Sequence, residues 1–113
     1  MKELDERLSI ISKACDDKKA FDVKILDISK LSSIGDYFVI ASGNSTTQVV
    51  AIADEVEEKM VKSGFELLQK EGQNSARWVL LDFGDIIVHV FHKEDRKFYN
   101  LERLWADSHK IEM

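Results

Sequence analysis

The histidines and the cysteine of this chain are the first candidates for a metal site: two histidines lie in an apolar segment, His109 lies in the C-terminal tail, and the cysteine is distant from them. His89 and His92 lie three residues apart on a predicted β-strand, so their side chains point to opposite faces. Cys15 lies on a predicted helix, far away along the chain. Because the ligands of a metal site must converge on one point, we predict no metal site and no cofactor.

An aspartate close to His89 could form an acid–base pair with it. A predicted hairpin places Asp82 and His89 diagonally on one face of the sheet, and proton transfer is a common task of such pairs. The predicted register places no serine or cysteine nucleophile on that face. We therefore interpret Asp82 and His89 as a half-exposed polar pair, and we predict no catalytic residue.

A nucleotidyl-transfer site is the enzymatic alternative. The Ser-Gly-Asn-Ser turn at residues 42–45 opens a helix whose amides could hold an anion, and Asp36, Asp82 and Asp85 could hold Mg²⁺. Such sites usually place two acids one residue apart on a strand, whereas Asp82 and Asp85 lie across a turn. The pattern favours Ser45 as a helix cap and leaves a nucleotide-binding or nucleotidyltransferase-like enzyme as the alternative.

The elements that would position these residues can be predicted from periodicity. Apolar residues at helical spacing predict helices over residues 3–18 and from Ser45 to Gly64, the second opening with a capping box between Ser45 and Gln48. Apolar runs predict strands over residues 22–28, 37–41 and 65–70. A last short helix contains Phe98 and Trp105. We predict one domain over residues 1–105 and a loose C-terminal tail over residues 106–113.

The most informative segment is a predicted hairpin around Gly84 and Asp85. A two-residue loop with glycine first suits a type II′ turn, and the turn fixes the pairing of the two strands. One face of this hairpin is purely apolar, and the other mixes aromatic, aliphatic, acidic and imidazole side chains. The apolar pairs are Phe83–Ile86, Leu81–Val88 and Val79–Val90, and the mixed pairs are Asp82–Ile87, Leu80–His89 and Trp78–Phe91.

The order of the elements predicts an α/β (α+β) fold of two layers, with a mixed five-stranded sheet and helices mainly on one face. We expect the other face to be partly open, with Trp78, Leu80, Ile87 and Phe91 forming an exposed apolar patch. Such patches usually mark interaction sites, and tryptophan is enriched among interface hot spots. The alternative is that the last helix half-covers Trp78.

Composition narrows the class of protein. A length of 113 residues with 44% hydrophobic residues fits one folded domain, and the chain has no apolar run long enough to span a membrane. The single cysteine and the charged N-terminus indicate the cytoplasm. A net charge of −5 disfavours direct, non-specific nucleic-acid binding and suits a basic protein partner.

Four segments in fixed order carry a more specific pattern. They run from Asp36 to Gly43, from Gln48 to Asp54, from Trp78 to Phe91 and from Arg96 to Trp105. Together they resemble the ribosomal silencing factor family, also called Iojap-like, over nearly the whole chain. The resemblance implies a fold related to nucleotidyltransferases without the catalytic set.

The resemblance also implies a function without catalysis. It implies a repressor of translation that binds the large ribosomal subunit through its fourteenth protein, at the intersubunit face. Bound there, the factor would block joining of the small subunit, typically when nutrients are limiting. We also expect a homodimer when the protein is free, and a free-standing dimerisation module is a further alternative.

The family's motifs fall on the hairpin and on the segment after it. Trp78, Asp82 and His89 match its Trp–Asp-x-Gly-Asp–Val-His block, and Tyr99 matches the Tyr–Leu–Glu–Leu–Trp block. The partner-binding residues that we predict are Trp78, Leu80, Asp82, Ile87, His89, Phe91 and Tyr99.

Overall fold

The computed structural model describes residues 6–28 and 36–95 and the backbone of residues 109–111. This part of the chain forms two helices and six strands. They are α1 (Glu6–Asp17), β1 (Phe21–Asp27), β2 (Tyr37–Gly43), α2 (Thr46–Lys62), β3 (Gln69–Glu71), β4 (Trp78–Asp82), β5 (Ile86–His92) and β6 (His109–Ile111). No helix within these residues is long and apolar enough to cross a membrane.

The strands form one mixed sheet in the order β3-β4-β5-β2-β1-β6. The neighbours β2 and β5 are parallel, and the other neighbouring pairs are antiparallel. The predicted two-layer α+β class and the mixed sheet are therefore confirmed, with β6 as an additional edge strand.

Helix α2 begins where the sequence predicted. Ser45 is the N-cap, and its Oγ accepts a hydrogen bond from the Gln48 backbone N–H at 3.1 Å. The Gln48 side chain accepts from the Asn44 N–H and donates to the carbonyls of Lys18 and Lys19, which ties the start of α2 to the end of α1. Gly64, with φ +92°, follows the helix.

Both helices cover the same face of the sheet, which we call the first face. Their buried side chains meet the inward side chains of the strands in one apolar core. Cys15 lies in this core, and burial raises the pKa of its thiol to about 12. The residues of this core are Leu8, Ile11, Ala14, Cys15, Ile25, Val39, Ala41, Val49, Ile52, Ala53, Val56, Met60, Val79, Leu81, Phe83, Ile86, Val88 and Val90.

The hairpin has the predicted register. Trp78 pairs with Phe91, Leu80 with His89, and Asp82 with Ile87, while the alternate pairs face the core. The Phe83 N–H donates to the Ile86 carbonyl at 2.9 Å, which closes the turn at Gly84, whose φ is +94°. Glycine tolerates this φ because it has no Cβ to clash with the backbone.

The second face of the sheet is less open than we predicted. Its side chains form a separate apolar cluster of Leu26, Ile28, Phe38, Ile40, Ile87 and Phe91, flanked by Trp78 and Leu80. Neither described helix contributes to this cluster, yet Phe91 is 0% exposed and Ile87 is 9% exposed. The prediction of a broad exposed patch was wrong for these two residues, because they pack against the side chains of β1 and β2 in this cluster.

Two further boundaries differ from the prediction. Strand β3 comprises Gln69–Glu71 only, because Phe65 and Leu67 pack against the core as part of the irregular connection that precedes it. Residues His109–Ile111 pair with Ile25 to Asp27 of β1, although the sequence predicted a loose tail there. The predicted last helix lies outside the described residues.

A candidate protein-binding strip on the second sheet face

Burial changes across the second face in the direction from β5 to β3. Ile87, His89 and Phe91 of β5 are buried, whereas Trp78, Leu80 and Asp82 of β4 are half-buried. We call these three β4 side chains the β4 strip. Gln69 pairs with Asp82 and Glu71 pairs with Leu80, so both β3 side chains share this face, and both are exposed. The strip therefore borders on an exposed polar edge.

The start of β4 is fixed by two neighbouring features. The guanidinium of Arg77 donates to both carboxylate oxygens of Asp95, at 2.8 and 2.9 Å, and the Arg77 carbonyl accepts from the His92 N–H. Gly72 lies against the Trp78 backbone, where an added Cβ would come within 2.0 Å of the Trp78 carbonyl oxygen. Both contacts hold the backbone that carries the Trp78 side chain.

His89 is bonded to Trp78 rather than to Asp82. The Trp78 indole Nε1–H donates to His89 Nδ1 at 3.1 Å. His89 is only 4% exposed, and burial lowers its pKa from 6.5 to about 4. Because an indole only donates, Nδ1 must accept, and the imidazole is neutral with its proton on Nε2. The prediction of a half-exposed polar pair with Asp82 was therefore wrong.

An aromatic cluster surrounds this hydrogen bond. Trp78 stacks on Phe91 with ring centroids 5.0 Å apart, and Phe38 contacts His89 edge-on at 4.8 Å. The Nε2 atom of His89 is buried and has no hydrogen-bond partner within residues 6–28 and 36–95. Within the described residues, the imidazole is thus held by aromatic packing and by the hydrogen bond from Trp78.

Asp82 has a local structural role at the end of the strip. Its Oδ1 accepts a hydrogen bond from the Gly84 N–H at 2.8 Å, which supports the hairpin turn. The Asp82 carboxylate remains half-exposed beside Gln69, and Gln69 Nε2 donates to the Glu71 carboxylate. In the described residues neither Asp82 nor Glu71 has a cationic side chain within ion-pair distance.

The lysine of β3 lies on the other side of the sheet. Lys70 pairs with Leu81 and therefore shares the first face, where its Nζ lies 3.2 Å from Asp54 and 2.8 Å from Glu57 of α2. This arrangement separates the charges of β3, because the cation is neutralised by the helix and Glu71 stays on the second face. The exposed edge of the β4 strip is consequently acidic.

The residues of the enzymatic alternative have structural roles. Ser45 Oγ caps α2, Asp82 closes the hairpin turn, and the backbone of Asp36 bonds to that of Asp85 at 2.7 Å. Within residues 6–28 and 36–95, no group of three or more histidine, cysteine, aspartate or glutamate residues is arranged to hold a metal ion.

The structure separates the seven predicted partner-binding residues into three groups. Trp78, Leu80 and Asp82 lie together in the half-exposed β4 strip, and Tyr99 lies outside the described residues. The other three, Ile87, His89 and Phe91, are buried behind the strip.

Sequence reasoning missed the contribution of β3 to this surface. Gln69 and Glu71 extend the strip towards the sheet edge, and Leu68, which is 59% exposed, lies near the hairpin turn. The alternation of Gln69, Lys70 and Glu71 in sequence indicates that Lys70 faces away from the other two. Only the pairing with β4 shows which of these side chains lie on the second face.

The fold and the strip define a small two-layer α+β domain with a partly exposed aromatic and acidic surface on its sheet. Over residues 1–113 the chain matches the family described as ribosomal silencing factor during starvation. It is 50% identical to ribosomal silencing factor RsfS of Bacillus subtilis over 101 residues, which cover 89% of this chain and 86% of that protein. The chain belongs to the ribosomal silencing factor family, and the resemblance found in its four segments is confirmed.

A more distant relative and two solved structures are also similar to this chain. The chloroplastic protein Iojap of maize is 32% identical over 103 residues, covering 91% of this chain and 45% of that protein. A crystal structure from Chromobacterium violaceum superposes with a TM-score of 0.89 at 37% identity, covering 93% of this chain and 88% of that one. A crystal structure from Bacillus halodurans superposes with a TM-score of 0.85 at 45% identity, covering 96% of this chain and 98% of that one.

Proposed function

We propose that this protein represses translation by binding the large ribosomal subunit through its fourteenth protein, at the face that meets the small subunit. Bound there, it blocks joining of the two subunits by steric exclusion, under nutrient limitation. No reaction and no cofactor is part of this mechanism. The compartment that we propose is the cytoplasm.

The β4 strip is the observation that supports this proposal most directly. Trp78 and Leu80 offer a partly exposed aromatic and aliphatic anchor, and anchors of this kind dominate the binding energy of protein interfaces. Asp82 and Glu71 add negative charge beside it. A ribosomal protein surface that contacts RNA is rich in lysine and arginine, so its charge is complementary to this edge.

Self-association uses the same surface in our proposal. A homodimer of the free protein would shield Trp78 and Leu80 from water until a ribosomal subunit competes for them. Dimer formation and ribosome binding would then exclude each other. Tyr99 belongs to the proposed surface through the family resemblance.

The test is sedimentation of the purified protein with separated large and small ribosomal subunits at physiological salt. We expect migration with the large subunit only. Trp78→Ala should weaken this association by roughly 2 kcal/mol or more, because it removes the aromatic anchor. Absence of binding to the large subunit would overturn the proposal, and nucleotide and Mg²⁺ binding would then be measured.

Val61→Ala provides a matched control. Val61 is an apolar side chain of α2 that is 52% exposed, so its truncation also removes exposed apolar surface, but on the helix layer. We expect Val61→Ala to sediment like the wild type. Equal weakening by Val61→Ala and Trp78→Ala would show that the β4 strip is not the contact surface.

A further inference from the structure

The hydrogen bond between Trp78 and His89 runs diagonally across the hairpin. The register partner of Trp78 is Phe91, and His89 lies two residues before Phe91 on the same strand. Diagonal neighbours on one face are within reach of an aromatic side chain. The indole therefore stacks on one neighbour, at 5.0 Å, and donates to another, at 3.1 Å.

Stacking and hydrogen bonding constrain different properties of the ring. Stacking on Phe91, with an angle of 25° between the planes, sets the tilt of the indole. It does not choose between two orientations related by a flip about χ2, because terminal aromatic torsions are broad and roughly two-fold. Only one flip directs Nε1–H at His89. Among the contacts of Trp78 with the described residues, the hydrogen bond to His89 is therefore the one that selects which edge of the indole is presented.

We propose that His89 is a positioning residue, which holds the Trp78 indole in a single orientation on the β4 strip and so prepares it for the partner. This inference rests on the proposed function. His89 itself is buried behind the strip and makes its contribution through Trp78, not through contact with the partner. An anchor that is ordered before binding loses less conformational entropy when the complex forms.

The first test measures the hydrogen bond without any partner. In a ¹⁵N-labelled sample, the Trp78 indole N–H should exchange slowly with solvent, and His89→Leu should shift its signal and speed its exchange. Trp78→Phe assigns the signal, since the chain has two tryptophans. An indole signal that His89→Leu leaves unchanged would overturn the proposal.

The second test measures affinity for purified large ribosomal subunits. His89→Leu should weaken binding by about three- to tenfold, the range expected for one lost hydrogen bond. His89→Asn should restore most of this affinity, because asparagine Oδ1 occupies the place of Nδ1 and accepts. In a Trp78→Phe background, which lacks the indole donor, His89→Leu should have no further effect.

His92→Leu is the matched control, since His92 is a buried histidine of the same strand on the opposite face. Denaturant midpoints of all variants verify that they fold, and His92→Leu should bind like the wild type. If His89→Leu weakens binding equally in the Trp78→Phe background, His89 acts by general packing and the proposal fails. If the wild type itself does not bind the subunits, the proposed function fails, whereas the ¹⁵N measurement still reports the hydrogen bond.

Discussion

The two faces of the sheet are built from neighbouring residues of the same strands, yet they differ in chemistry. On the first face every member of the core is apolar and two helices cover it. On the second face a buried imidazole stands among aromatic rings, and burial declines from β5 to the exposed β3 edge. Leu80 and Leu81 are adjacent in sequence, but one is half-buried in the strip and the other is 0% exposed.

This difference separates stability from recognition. The first face contributes apolar burial, which is non-directional and tolerates exchange of one aliphatic residue for another of similar volume. The second face contains directional contacts, above all the bond from Trp78 to His89. We attribute the buried imidazole of His89 to the ordering of the β4 strip, because its Nδ1 accepts the hydrogen bond of the Trp78 indole.

The largest effect should come from truncation on the first face. Leu81→Ala is expected to lower the free energy of unfolding by about 2–5 kcal/mol, because it leaves a cavity in the core. Leu80→Ala, one residue away, should cost roughly 1 kcal/mol, since its side chain is already half-exposed. Denaturant unfolding measures both values. Equal losses would contradict the distinction between the two faces.

The second prediction concerns pH. The folded-state pKa of His89 is lowered to about 4 from its ordinary value of 6.5. Between these values the unfolded chain binds more protons than the folded protein, so stability falls as pH falls. The shift corresponds to roughly 3 kcal/mol of the free energy of unfolding. This contribution is fully present above pH 6.5 and is lost by about pH 4.

The control for the pH prediction is His89→Leu, which has no titrating group at this position. Carboxylates titrate in both proteins, so the difference between their stability profiles isolates His89. The difference should vary between pH 6.5 and 4 and be flat above that window. A difference that does not change over the window would show that the imidazole is protonated as easily in the folded protein as in the unfolded chain.

A smaller effect is expected from Gly84→Ala in the hairpin turn. An alanine at φ +94° is strained by about 1–2 kcal/mol, while its Cβ would meet the Leu68 side chain at 3.6 Å, an ordinary van der Waals distance. Gly64→Ala is the control, with φ +92° and no atom of the described residues within 4 Å of the added Cβ. Similar losses in unfolding experiments would identify backbone strain as the cause. A much larger loss at Gly84 would show that the turn also excludes a competing register that exchanges the two faces.

The smallest effect should follow from Lys70→Met on the first-face side of β3. Its ion pairs with Asp54 and Glu57 are partly exposed, and such pairs contribute at most about 1 kcal/mol. The loss should diminish in high salt, where charges are screened. Thermal unfolding at low and high salt measures this, and a loss that is insensitive to salt would point to packing of the lysine stem instead.

Local signals explain which parts of the fold could be predicted. The register of the hairpin followed from the two-residue loop of Gly84 and Asp85, and the start of α2 followed from Ser45 and Gln48. Strand β6 could not be predicted, because His109, Lys110 and Ile111 show no apolar alternation. They form a strand because they pair with β1 in the folded protein. The short length of β3 similarly depends on where β4 is available for pairing.

The sequence predicted only part of the candidate site. Trp78, Leu80 and Asp82 were placed on one face from their spacing alone, which the structure confirms. The hydrogen-bond partner of His89 was predicted incorrectly. The charge of Asp82 suggested an acid–base pair, whereas in the folded protein the indole Nε1–H of Trp78 donates to His89. The extent of burial of Phe91 and Ile87 depends on residues that are distant in sequence.

The sequence by itself determined both described helices, the strands other than β6 and the short extent of β3, the hairpin register and the family, because periods of two and 3.6 residues, caps and turns act over a few neighbouring positions. The tertiary structure decided which side chains of the second face are buried, which donor His89 accepts from and which β3 residues border the strip. These properties depend on contacts between strands that the chain brings together only on folding, and no local pattern encodes them.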